Sequence, residues 1–351
     1  MHIKLNYLLY DVEKTEQTLQ TCEEWEKAIF HFLSEWFNNS ATVVLHTSGS
    51  TGVPKEILLS KTAMRNSARI TNRFFGMDES KTALLCLPAS HIAGKMMLVR
   101  AIEGKFNLIT TKPAANPFTR LRSQIDFVAI TPYQLQNSIM SMGKTPIKNC
   151  IVGGGSVGLH LEKVAQKIPV ALYETYGMTE TASHIALRRI NGETKSEDFT
   201  TLDGVTIRQD SRGCLLITAP HLSDTEFVTN DIVKLTSDNS FRWIGRADTI
   251  INSGGIKVSP EAIEKKLETL IDSSFFITSI PDKALGYKVV LIIESNPYSA
   301  EKEAELKKNF RYNLQKYEIP KELFYMPQFV YSVSNKILRK ETLERFTAHK
   351  R

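Results

Sequence analysis

Thr47-Ser48-Gly49-Ser50-Thr51-Gly52-Val53-Pro54-Lys55 directly follows the apolar run Ala41-Thr42-Val43-Val44-Leu45-His46. The run reads as a strand. Two glycines free the backbone of the loop to curl, four hydroxyls offer donors and Lys55 adds a charge, a combination that suits a polyphosphate. An ordinary Gly/Ser/Thr turn is the competing reading, and composition alone leaves both open. A Walker loop is excluded, because G-x-x-x-x-G-K-[ST] cannot be aligned and Pro54 stands where glycine is needed before the lysine. From this loop to Tyr173, short apolar runs (Thr82–Pro88, Phe106–Thr110, Asp126–Thr131, Asn149–Val152, Pro169–Tyr173) alternate with helix-like stretches at 61–75, 92–103, from Pro132, and 159–167. Such alternation, opening with the 41–46 strand, predicts an α/β fold whose mostly parallel sheet is covered on both faces, with ligands at the strand C-terminal ends. From His184 to Trp243 short alternating segments predict a small antiparallel unit. Beyond Gly245 strand and helix return, which places a boundary near Asp248: a large domain 1–247 and a small α+β domain 248–351.

A chain of 351 residues predicts about two domains. Hydrophobic residues at 42% and charged residues at 23% are those of a folded globular protein. The charge, 44 − 38 = +6, suits anionic ligands, but no clustered basic stripe argues for nucleic acid. The start, MHIKLNYLLYDVEK, is broken by Asn6 and Asp11, so it predicts neither signal peptide nor anchor, and no run approaches the roughly 18 apolar residues of a membrane span. A cytoplasmic protein is expected. Cys22, Cys86, Cys150 and Cys214 form no CxxC pair, so reduced thiols are expected.

Two further loops carry chemistry. Gly153-Gly154-Gly155-Ser156-Val157-Gly158 satisfies G-x-G-x-x-G after a strand, with Glu174 at a ribose-binding distance in sequence. Against a dinucleotide site, the strand is not first in its sheet and Pro169 shortens the crossover; a glycine turn lining another ligand is the other reading. Tyr173-Glu174-Thr175-Tyr176-Gly177-Met178-Thr179-Glu180-Thr181 offers aromatic faces for a base and, in Thr179 and Glu180, oxygen ligands for phosphate-bound Mg2+. A polar turn is its bland alternative.

Together the loops at 47–55 and 173–181 resemble the signature motifs of the adenylate-forming superfamily: acyl-CoA synthetases, peptide-synthetase adenylation domains and luciferases. Further motifs follow in order: Pro88–Gly94 (PASHIAG), Asn230-Asp231, Trp243-Ile244-Gly245-Arg246-Ala247-Asp248, Ser253-Gly254-Gly255, and Asn335-Lys336-Ile337-Leu338-Arg339. The resemblance implies an ATP- and acyl-binding domain followed by a mobile C-terminal domain, with ATP, Mg2+ and coenzyme A as reactants. It places Thr47, Ser48, Gly49, Ser50, Thr51, Gly52 and Lys55 around the β- and γ-phosphates, Thr179 at the α-phosphate and Glu180 at Mg2+. Asp231 would hold the ribose with Arg246 nearby. Tyr176 and Gly153, Gly154 and Gly155 would enclose the adenine, with Glu174, Thr175 and Gly177 in the same ATP-binding set. Lys336 would be the catalytic lysine, Asp248 the hinge, and Ser253, Gly254 and Gly255 the CoA-binding stretch.

The chain departs from the superfamily in two places. Relatives carry a large N-terminal subdomain before the first loop, here replaced by a short stretch, and Asn335 stands where glycine is usual. The short N-terminal stretch, Ser90–Ala101 (SHIAGKMMLVRA) and Ser253–Pro260 (SGGIKVSP) look most like the compact o-succinylbenzoate-CoA ligases of bacterial menaquinone synthesis. That substrate has one carboxylate to activate and one to hold; Lys95 is the expected holder, with His91 as pocket wall, and a solvated Lys95 is the alternative. An aryl- or amino-acid-activating enzyme that loads a separate carrier protein, and a catalytically idle nucleotide-binding homologue, stay open, as does a homodimer.

Overall fold

The computed structural model describes residues 2–47, 55–119, 121–331 and 337–349. Ser48, Gly49, Ser50, Thr51, Gly52 and Lys336 therefore lie outside the described residues. One sheet of thirteen strands dominates, in the order Thr206–Gln209, Cys214–Thr218, Phe227–Ser237, Ser240–Arg246, Phe199–Thr201, His184–Arg189, Ala171–Gly177, Ile147–Val152, Ile125–Ile130, Thr82–Leu85, Asn107–Thr110, His2–Leu5, Leu8–Asp11. The six strands from His2–Leu5 to Ala171–Gly177 are parallel. Those from His184 to Arg246 are antiparallel and extend the same sheet, because His184–Arg189 pairs directly with Ala171–Gly177. The expected α/β class with a parallel core is what the chain adopts.

The strand expected at 41–46 forms, but its expected place in the parallel sheet is a correction. Thr42–Thr47 stays outside the large sheet and forms an antiparallel hairpin with Lys55–Ser60, its register closing at Thr47 opposite Lys55. Val43 and Leu45 are buried while Val44 is exposed, the two-period pattern of a strand with one wet face. The parallel core instead takes the N-terminal His2–Leu5, with Leu5 opposite Leu108. A helix at Lys27–Phe37, unread from the sequence, buries Ile29, Phe30, Phe32, Leu33 and Trp36 beneath the hairpin side of the core.

Local signals set the covering helices. Ser60 accepts from Ala63 N to start Lys61–Phe75, which Gly76 ends in the left-handed region at φ 62°. Thr131 and Gln134 form a capping box at Pro132–Met142. Thr82–Leu85 lies between Asn107–Thr110 and Ile125–Ile130, so the chain leaves it in one direction and returns on its other side. Its C-terminal end, the Pro88–Gly94 stretch, thus sits at a topological switch point, where open α/β sheets bind ligands. A Cβ on Gly94 would lie 2.2 Å from the Pro88 carbonyl oxygen, so only glycine permits this turn into helix Ile92–Gly104.

The last strand of the large sheet ends at Arg246 and a second sheet begins at Ile251. It combines Ile256–Val258, Ile251–Ser253, Gly286–Glu294 and Phe275–Asp282, with Glu322–Met326 parallel to Gly286–Glu294. Helices Pro260–Leu267 and Ala300–Asn313 close its core around Ile263, Leu267, Leu291 and Phe310. Hydrogen bonds that join this body to the large sheet include Ser259 Oγ donating to the Ile244 carbonyl at 3.2 Å and Leu159 N donating to Glu268 Oε2 at 2.8 Å. Among the described residues no helix is long and apolar enough to cross a membrane.

Candidate active site

The strand ends at Val152 and Gly177 and the antiparallel strands beyond them gather most of the expected ATP-binding residues. Gly153 leaves its strand with its N–H on the Ile130 carbonyl, and a Cβ there would come 2.5 Å from Thr175 Oγ1. Gly154 adopts φ 84°. Gly177 is equally constrained, since a Cβ would meet the Ser183 carbonyl oxygen at 2.4 Å. Bare backbone therefore lines this edge, which is what close approach of a flat base requires.

Opposite, Asp231 accepts from Tyr176 Oη at 2.7 Å and from Trp243 Nε1 at 3.1 Å. Burial and the Asp231 charge hold the Tyr176 phenol far above its ordinary range, so it donates at every physiological pH. Asp231 faces Arg246 across the ladder, but the Arg246 fork closes on Asp248 (2.9 and 2.7 Å), leaving its Nη1 4.0 Å from Asp231. The Arg246 bond also holds the Asp248 carboxyl below the ordinary carboxylate range.

Glu174 is a correction to the expected ligand set. It is 5% exposed, accepts from Val157 N at 2.7 Å and pairs with Arg188, which also pairs with Glu162; Lys195 adds a 3.0 Å contact to Glu162. With its oxygens so engaged, Glu174 pins the glycine turn from behind. Thr175 likewise turns inward, donating to the Val152 carbonyl at 3.3 Å.

Met178 leads into a one-turn 3-10 helix, Thr179–Thr181, in which buried Thr181 bonds back to Met178. That anchor leaves Glu180 exposed and Thr179 at the surface, and the turn lies against strand Lys55–Ser60. The fold thus brings Thr179 and Glu180 to the hairpin that carries the 48–54 loop. No cluster of three metal-binding side chains occurs among the described residues. A single exposed carboxylate beside a threonine fits Mg2+ that arrives on a nucleotide, which keeps several waters and takes one or two protein ligands.

Of the residues expected at the acyl pocket, His91 is exposed and its Nδ1 lies 3.1 Å from Ser90 Oγ. Lys95 is neither solvated nor free. It is 8% exposed, bonded to Glu35 at 3.0 Å and placed over the Phe32 ring, so its charge is already matched. Arg100, unread from the sequence, lies further along the same helix and is 2% exposed. Its Nη2 donates to Ser183 Oγ at 2.6 Å, and among the described residues its Nε has no partner and no carboxylate pairs with it. Burial alone pushes its guanidinium down to about 9. Beside it, His184 is held well below its ordinary pKa by burial and the Arg100 charge, and bridges Ser183 Oγ and Thr71 Oγ1.

Ser253 ends strand Ile251–Ser253 opposite Ile256, and Gly254 and Gly255 form the hairpin turn from it to Ile256–Val258 in the second sheet. Gly254 and Gly255 take φ 60° and 83°, and Gly254 N donates to the Leu285 carbonyl.

The family model described as AMP-binding enzyme matches residues 3–208. The chain belongs to the AMP-binding enzyme family. Among solved structures, the acyl-CoA synthetase (AMP-forming)/AMP-acid ligase II-like protein of Dyadobacter fermentans is 34% identical with a TM-score of 0.63, over 96% of this chain and 98% of that one. The o-succinylbenzoate coenzyme A synthetase of Bacillus subtilis, solved with ATP and magnesium, shares the fold at 21% identity and a TM-score of 0.71, over 86% of this chain and 69% of that one. A 2-succinylbenzoate–CoA ligase of Geobacillus sp. (strain WCH70) is 26% identical over 341 residues, 86% of this chain and 68% of the relative. This AMP-binding enzyme is an adenylate-forming acyl-CoA ligase.

Proposed function

We propose that the chain converts o-succinylbenzoate, ATP and CoA to o-succinylbenzoyl-CoA, AMP and pyrophosphate. In the first half-reaction a carboxylate oxygen bonds to the α-phosphorus, the bond to the bridging β-phosphate oxygen breaks and pyrophosphate leaves. In the second, the CoA sulfur attacks the acyl carbon and AMP departs. Both steps develop negative charge that must be met by placed donors and cations. Bound Mg2+ would neutralise phosphate charge beside Glu180. Ser48 to Lys55 would cradle the β- and γ-phosphates, Thr179 the α-phosphate, Asp231 the ribose, and Tyr176 with Gly153, Gly154, Gly155 and Gly177 the adenine, with Arg246 at the ribose side. Lys336 would follow charge from the carboxylate to the α-phosphate. The small body after Asp248 would rotate between half-reactions, bringing Ser253, Gly254 and Gly255 to the thiol.

What supports a diacid is Arg100. A buried guanidinium without a carboxylate is costly unless something anionic completes it, and this one is bonded to Ser183, two residues past the Thr179–Thr181 turn. The relatives named for 2-succinylbenzoate agree with that chemistry. Arg100, in place of Lys95, is thus the proposed holder of the second carboxylate. Steady-state kinetics test it: Arg100→Ala should raise KM for o-succinylbenzoate about 10- to 100-fold, the scale of a hydrogen bond to a charged group, with little effect on benzoate. Lys95→Ala should act on both acids alike. An equal effect of Arg100→Ala on both acids would refute the assignment.

A further inference from the structure

Helix Pro260–Leu267 meets the large body at both of its ends. At its start, Ser259 Oγ donates to the Ile244 carbonyl at 3.2 Å, and Glu261 Oε1 accepts from Thr249 Oγ1 at 2.7 Å, so this end stands beside the proposed hinge at Asp248. At its far end, half-buried Glu268 reaches the glycine turn of the large body, where its Oε2 accepts from Leu159 N at 2.8 Å. The helix is about 12 Å long, so any rotation about Asp248 displaces the Glu268 contact further than the Ser259 one.

Gly158 is shaped to receive that carboxylate. Its backbone, at φ −69° and ψ 158°, is one that any residue adopts. A Cβ there would nevertheless lie 2.3 Å from Glu268 Oε2, 2.7 Å from its Cδ and 2.8 Å from its Oε1, and these are its three nearest neighbours. What this position has no room for is set by the second body and not by the local turn. The same turn starts at Gly153, Gly154 and Gly155, the proposed adenine wall, and Glu174 pins it through Val157 N at 2.7 Å. Val157 N and Leu159 N are thus held by one carboxylate from each body.

We propose that Glu268 is a latch for the orientation of the second body in this structure, its carboxylate seated on Gly158 and bonded to Leu159 N, and that it disengages when the body turns between the two half-reactions. The proposal rests on that rotation. Glu268 touches no reactant; it biases the balance between orientations, and losing the contact moves that balance. One hydrogen bond to a charged group corresponds to a shift of about 10- to 100-fold.

The readout is the ratio of two single-turnover rate constants in the full chain: adenylate formation from acid and ATP, and thioester formation from supplied acyl-adenylate and CoA. Glu268→Ala removes the bond, and Gly158→Ala evicts the carboxylate. Each is expected to shift the ratio about 10- to 100-fold, both in the same direction, with KM for ATP little changed. Because both break one contact, the double variant Gly158→Ala/Glu268→Ala should shift it no further than either alone. Glu268→Gln keeps a carbonyl acceptor and should shift it less; the two Glu268 variants carry the test if Gly158→Ala does not fold. Asp248→Pro, which stiffens the hinge backbone, is measured alongside. If Asp248→Pro changes the ratio while the Gly158 and Glu268 variants leave it unchanged, alter only KM for ATP, or combine as the product of their separate shifts, the latch alone is overturned. If Asp248→Pro leaves both half-reactions as they were, the reading of a rotating body falls and the latch with it.

Discussion

Arg188→Ala should destabilise the protein by about 3–5 kcal/mol, the loss expected when one partner is removed from a buried ion pair. The guanidinium is 4% exposed and stands between Glu162 and Glu174, themselves 3% and 6% exposed. Without it, Glu174 keeps only its bond from Val157 N, and Glu162 keeps Lys195. The remaining carboxylates would shed their charge by taking up protons. Even with Arg188 present, burial holds Glu174 above the ordinary carboxylate range. A carboxyl raised in the folded state contributes stability that is full below its unfolded pKa and lost as pH rises through the folded one. The deficit of Arg188→Ala should therefore widen from acid to neutral pH. Urea titration at several pH values checks this. A constant deficit, or one of under about 1 kcal/mol as for exposed pairs, would show that the network is solvated. Because Glu174 pins the glycine turn, the variant should also raise KM for ATP.

The second large effect belongs to Lys336. Its replacement by Ala should slow adenylate formation about 10²- to 10³-fold, the scale of removing one preorganised donor from a developing negative charge. Thioester formation from supplied acyl-adenylate should stay nearly unchanged, because in this account Lys336 faces the reactants only in the adenylating orientation of the small body and not in the thiol-accepting one. Rapid-quench measurement of both half-reactions decides it. If they fall together, Lys336 serves binding or structure in place of the first chemical step.

The parallel core was legible because its strands are continuous apolar runs broken by amphipathic helices, the pattern that burial on both sheet faces demands. The placement of 41–46 was not. The 41–46 run reads as a strand of the large sheet, and only its pairing with Lys55–Ser60, unread from the sequence, with Thr47 opposite Lys55, takes it out of that sheet. Helix Lys27–Phe37 carried a readable signal, with Ile29, Leu33 and Trp36 on one helical stripe, but no motif drew attention to it. It supplies Glu35, and so decides the fate of Lys95.

Backbone constraints were legible where glycine shapes a turn, as at Gly153 and Gly177. Charged side chains were less so, because a charge in sequence does not announce its partner. Glu174 and Lys95 each have one in the fold, across strands or helices distant in sequence. Arg100 was hidden by the reverse circumstance. In Met96-Met97-Leu98-Val99-Arg100-Ala101 it reads as the polar edge of an apolar helix, yet it is buried and, among the described residues, pairs with no carboxylate.

Pyrophosphate release over a panel of carboxylic acids, each with and without CoA, tests the assigned reaction most directly. The expected result is ATP-dependent pyrophosphate release that is fastest with o-succinylbenzoate, slower with benzoates lacking the second carboxylate and with fatty acids, and sustained beyond one turnover only when CoA is present. Equal rates for monoacids and o-succinylbenzoate, or turnover that CoA does not increase, would contradict it.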